Sequence, residues 1–101
     1  MIRMWITNKN NGEITAEMSE SMVAFLSTAM EHGCIGSTFA EDDERIIVYT
    51  RWSDEMILEQ FRSSEEYKIQ EGKIIQSFAN AGFEIADDIL FNSTAKVLFS
   101  N

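Results

Sequence analysis

A chain of 101 residues, 45% apolar and 25% charged, has the length and composition of one globular domain with a single core, expected to span 1–101, and not those of a disordered segment. Its net charge of −9 argues against nucleic acid and against an anionic membrane surface, because both are bound by Lys and Arg. No apolar run approaches the roughly 18 residues needed to span a bilayer, which leaves a small neutral or apolar molecule, or a second copy of the chain, as the expected partner.

The chain has no proline, so glycines and polar clusters mark the boundaries. Met1 to Thr7 is apolar with an interruption at Arg3 and suits a first strand. Its opening residues lack the basic stretch, long apolar segment and cleavage site of a signal peptide. The one cysteine, Cys34, forms no intrachain disulfide, and the two features together predict a cytoplasmic protein. Asn8 to Gly12 is a turn cluster. Ile14, Met18, Met22, Phe25, Leu26, Ala29 and Met30 then recur at helical spacing, with Gly33 as the stop.

Cys34 to Ala40 reads as a short second strand and Arg45 to Trp52 as a third, joined by the charged turn Glu41 to Glu44. In the third, Ile46, Val48 and Trp52 fall on one face, Ile47 and Tyr49 on the other. Ser53 can cap a short helix carrying Met56, Ile57 and Phe61. Ser63 and Glu66 have capping-box spacing and predict the start of another helix, which Tyr67, Glu71, Ile74, Ile75 and Phe78 continue to Gly82. Phe83 to Phe99 places Ile89, Phe91, Val97 and Phe99 at strand spacing. The order is that of the α+β, ferredoxin-like βαββαβ pattern with a four-stranded antiparallel sheet. Helices cover one face of such a sheet. Apolar side chains on the other predict a homodimer packed sheet to sheet.

Glu31-His32-Gly33-Cys34 before the second strand, Tyr49-Thr50-Arg51-Trp52-Ser53-Asp54-Glu55 at the end of the third, and Ser64-Glu65-Glu66-Tyr67 after the short helix resemble the antibiotic biosynthesis monooxygenase family. The order of elements resembles that family over nearly the whole chain. The resemblance implies a dimeric α/β barrel, and a cofactor-independent monooxygenase acting on a small aromatic or quinol-like molecule that itself supplies the electrons to oxygen. Departures are specific. Glu66 stands where the family often has histidine. Of the positions used by its haem-degrading branch, Asn8 fits, whereas Phe61 and Glu71 replace the tryptophan and the histidine. Val48 and Leu58 stand where the polyketide-oxidising branch has polar residues.

The candidates for chemistry each have an ordinary structural role as the alternative. Trp52 either walls a cavity for a flat ligand or fills the core with its indole N–H bonded. Tyr67 either exchanges a proton with a phenolic substrate or rests on a helix with a wet hydroxyl. Asn8 either orients a ligand oxygen or serves its turn. On the reading as an enzyme, these three are catalytic, Met22 and Phe61 bind the substrate, and Trp52 and Phe61 clamp its ring. Cys34 reads as a small buried residue. Glu41 to Glu44 and Asp87-Asp88 read as solvated turns. The sequence contains no phosphate loop, dinucleotide fingerprint or nucleophile elbow, and one His with one Cys cannot build a metal cluster of those ligands in one chain; no cofactor is expected. The alternative function is a dimeric ligand-binding or stress-response protein without turnover.

Overall fold

In a computed structural model, residues 1–85 and 89–101 are described, Phe91 for its backbone only; Asp87-Asp88 therefore lies outside the described residues. The elements in chain order are β1 (Ile2–Asn8), α1 (Ala16–Glu31), β2 (Gly36–Glu41), β3 (Arg45–Arg51), α2 (Glu55–Arg62), α3 (Glu65–Asn80) and β4 (Ile89–Ala95). The strands form one sheet in the order β2-β3-β1-β4, and every neighbouring pair is antiparallel. This small α+β fold with an open antiparallel sheet is compatible with the ferredoxin-like pattern. No helix among the described residues is long and apolar enough to cross a membrane.

Local chemistry sets the element ends. Asn10 and Asn11 turn the chain after β1 at φ 49° and 64°, a region asparagine tolerates better than most residues. Thr15 caps α1 by accepting from the Met18 amide at 3.2 Å. Gly33, at φ +103°, follows the end of that helix, and a side chain there would also meet Ile57 at 2.8 Å. The α2 cap is Asp54, accepting from the Ile57 amide at 2.9 Å, and the α3 cap is Ser64, accepting from the Tyr67 amide at 3.1 Å. Each lies one residue beyond the expected Ser53 and Ser63. Ser63 instead closes α2.

Strand alternation sorts the sheet into two faces. On the helix side, Thr7, Ile46, Val48 and Thr50 are buried. Met18, Met22 and Leu26 of α1 and Ile74 and Phe78 of α3 pack against them. Met30 departs from the predicted stripe and is 47% exposed, because steps of four residues drift round a helix of 3.6 per turn. The opposite face carries cross-strand rows: Thr38, Tyr49, Met4 and Ser93 in one, Gly36, Arg51, Ile2 and Ala95 in another. The last strand stops at Ala95, where its partner Ile2 begins β1. With no strand residue left to pair, Val97 and Phe99 lie beyond the sheet, and Phe99 is 84% exposed.

Candidate functional site

The helix–sheet interior is not packed solid throughout. A partly enclosed cavity of about 200 Å³ lies between α3, α2 and the sheet. Its apolar lining includes Trp5, Met22, Val48, Leu58, Phe61 and Ile74, and its polar lining Arg3, Thr50, Arg62, Tyr67, Glu71 and Asn92. Ile75, also in the lining, is half exposed and belongs to the open side.

Trp52 sits one residue past β3, fixed by a reciprocal backbone pair with Met1: its amide donates to the Met1 carbonyl at 2.9 Å, and the Met1 amine donates to its carbonyl at 3.0 Å. Its indole Nε1–H donates to Thr50 Oγ1 at 2.9 Å, so the buried N–H is satisfied. The ring is 2% exposed and lines the cavity. Core aromatic and cavity wall are thus one role for this residue. Phe61 stacks on it at 5.4 Å with 26° between the planes. The two rings at that spacing form a single wall, which corrects the expectation of two jaws closing on a ligand.

Tyr67 is the third residue of α3, with its ring edge-on to Phe61 at 5.2 Å and to Phe25 at 5.7 Å. Burial pushes its phenol above the ordinary value of 10.0, and the neighbouring Glu71 carboxylate adds to the rise; the Arg62 guanidinium opposes it. Tyr67 is therefore a proton donor at neutral pH. Glu71 lies one helical turn on, on the same face of α3. Arg3 enters from β1. Burial lowers its pKa from the ordinary arginine value, as does the charge of Arg62, against the pull of Tyr67, Glu59 and Glu71.

Four of the five expected site residues, Met22, Trp52, Phe61 and Tyr67, meet at this cavity. Asn8 does not line it. It lies at the far end of β1 from Arg3, paired with Arg45, and its Oδ1 accepts from the Asn10 amide at 2.8 Å, the turn role. Cys34 is buried, with its thiol on the Gly36 carbonyl at 3.0 Å. His32 closes α1 and meets Glu66 at 3.1 Å. Among the described residues no group of three His, Cys, Asp or Glu side chains is placed to hold a metal ion.

Sequence reasoning missed Arg3, Thr50, Arg62 and Asn92. For Arg3 the signal was present: alternation along β1 places it on the same face as Trp5 and Thr7, toward the helices. Tyr67 and Glu71 were likewise recoverable as an i, i+4 pair. Nothing local marks Arg62 or Asn92. Comparison with family models, with curated proteins and with solved structures finds no match to this chain.

Proposed function

We propose that this chain is a cytoplasmic, homodimeric, cofactor-independent monooxygenase of the antibiotic-biosynthesis type, acting on a small aromatic or quinol-like molecule held in the helix–sheet cavity. The observation that carries this reading is the cavity of about 200 Å³, with Trp52, Phe61, Met22 and Tyr67 together in its lining. An apolar cavity of roughly 150 Å³ takes up benzene, so the volume suits one or two rings. A three-ring anthrone would project through the open side.

In the proposed reaction a ring C–H of a hydroquinone and O₂ become the C–OH of a hydroxyquinone and water, the substrate losing two hydrogens, gaining one oxygen atom and supplying all four electrons. The protein's share is to hold the ring against the Trp52–Phe61 wall, limit water and manage one proton. Tyr67, held protonated, donates to the substrate oxygen, and Glu71 beside it accepts. Homodimer formation is supported by the open sheet face. Ile2, Met4, Ile6 and Ile47 are only partly buried there, and Tyr49 is 37% exposed. A second copy packed on that face would complete the dimeric α/β barrel, and sedimentation equilibrium would report two chains.

A binding protein without turnover is the second reading. It is favoured by the donor character of Tyr67 and by the position of Asn8 away from the cavity, which leave neither of these expected residues as a proton acceptor. The test is oxygen uptake with naphthohydroquinone. Uptake above the protein-free rate that yields hydroxynaphthoquinone and not peroxide, falling about 10²–10⁴-fold in Tyr67→Phe, supports the oxygenase. Binding of naphthol without any protein-dependent uptake of oxygen by the hydroquinone rejects it in favour of the second reading.

A further inference from the structure

We propose that the ligand of this cavity is a one- or two-ring aromatic acid, its ring on the Trp52–Phe61 wall and its carboxylate on the Arg3 guanidinium. The inference rests on the cavity being a small-molecule site and adds the chemical class of the ligand. Four observations carry it.

Arg3 is near one end of the interior strand β1, on the sheet's helix-facing side, in a lining otherwise dominated by apolar residues, where a strand residue would ordinarily be hydrophobic. A charge held there is expensive unless it is paired and hydrogen-bonded. Its pairing among the described residues is thin. Among the described residues no carboxylate lies within 4.0 Å of its nitrogens, and the one hydrogen bond it makes to them is a long 3.4 Å contact from Nη1 to Thr94 Oγ1. A guanidinium offers five N–H donors in a planar fork.

Arg62, the other arginine of the lining, is spoken for differently. It pairs with Glu59 at 3.3 Å near solvent and stands beside Tyr67. Glu71 offsets part of the local charge without contacting Arg3 within ion-pair distance. Arg3, Arg62, Glu59 and Glu71 sum to zero, so the cavity does not attract anions in general. It presents one directed fork beside an apolar wall, and a planar carboxylate is the group that matches such a fork with two parallel hydrogen bonds. An anion seated there also relieves the cost of keeping Arg3 charged away from water.

The experiment is titration of the full chain with naphthoate and, separately, with naphthamide, which has the same ring and no charge, followed by tryptophan fluorescence and calorimetry. The expected result is tighter binding of naphthoate by about tenfold to a hundredfold. That preference weakens with salt and collapses in Arg3→Gln, which then binds the two probes about equally. Arg3→Lys keeps the charge without the fork and retains only part of the preference. A native circular dichroism spectrum and retained saturable binding of naphthamide certify that each variant is folded. Equal binding of both probes by the native chain overturns the acid assignment and leaves the aromatic site standing. A naphthoate preference that survives Arg3→Gln overturns the role of Arg3. Binding of neither probe overturns both this inference and the cavity reading beneath it.

Discussion

The helix–sheet interior contains two aromatic clusters of similar composition and different character. At one, Trp5 meets Phe78 edge-on at 5.6 Å and Phe78 meets Phe83 at 5.8 Å. Met18, Leu26 and Ile46 fill the space around them. At the other, Phe61 lies 5.1–5.7 Å from the rings of Trp52, Tyr67, Phe25 and His32, and Phe25 lies 5.7 Å from Tyr67. Arg3, Arg62, Thr50 and Glu71 border the second cluster, and the space between it and the Trp5 edge of the first is hollow. The difference shows that aromatic content alone does not make a site. Polar groups brought in by β1, the end of α2 and the first turns of α3 line the space that the layers leave beside the second cluster.

This contrast predicts unequal responses to substitution. The largest is expected at the filled cluster. Phe78→Ala removes a fully buried ring from space that other side chains already occupy, and should cost about 3–5 kcal/mol in urea denaturation without altering the preference among ligands at the hollow cluster. A smaller loss is expected from Thr50→Val, which keeps the shape and orphans the Trp52 indole N–H. The cost is about 1–3 kcal/mol, accompanied by a change in tryptophan emission. A native-like stability for this variant would mean that the indole finds another partner, and that Trp52 is not held as described.

The smallest effect is a pH dependence. The Tyr67 phenol is raised above 10.0 in the fold, whereas the unfolded chain ionises near the ordinary value. Its contribution to stability is therefore complete below the unfolded value and is lost as pH rises through the folded one. Stability of the native chain should fall more steeply than that of Tyr67→Phe as pH rises past the ordinary phenol value of 10.0. Parallel curves would place the hydroxyl in free contact with water.

Much of this architecture can be read from residue order. The stripe of Met18, Met22 and Leu26, the two faces of β3 and the glycine stops at Gly33 and Gly82 follow from periodicity and backbone conformation. The cap positions slipped by one because Ser53-Asp54 and Ser63-Ser64 each offer adjacent capping side chains, and only the geometry of the turn selects between them. The end of β4 was hidden because apolar alternation continues to Phe99, whereas pairing depends on where the neighbouring strand begins. The candidate site was legible for the residues whose types are unusual, Trp52 and Tyr67. It was illegible for Arg62 and Asn92, which reach the cavity through the packing of α2 and through β4, both long-range consequences of the fold.

The central claim is that the hollow beside Trp52 and Phe61 receives a small aromatic molecule. It is tested most directly by methyl-resolved NMR of the full chain during titration with naphthol. The account predicts saturable shifts at Met22, Leu58 and Ile74, which line the cavity, and none at Ile46, buried in the filled cluster, or at Met56, 70% exposed outside it. Shifts scattered over the exposed methyls, with Leu58 and Ile74 unmoved, would contradict it.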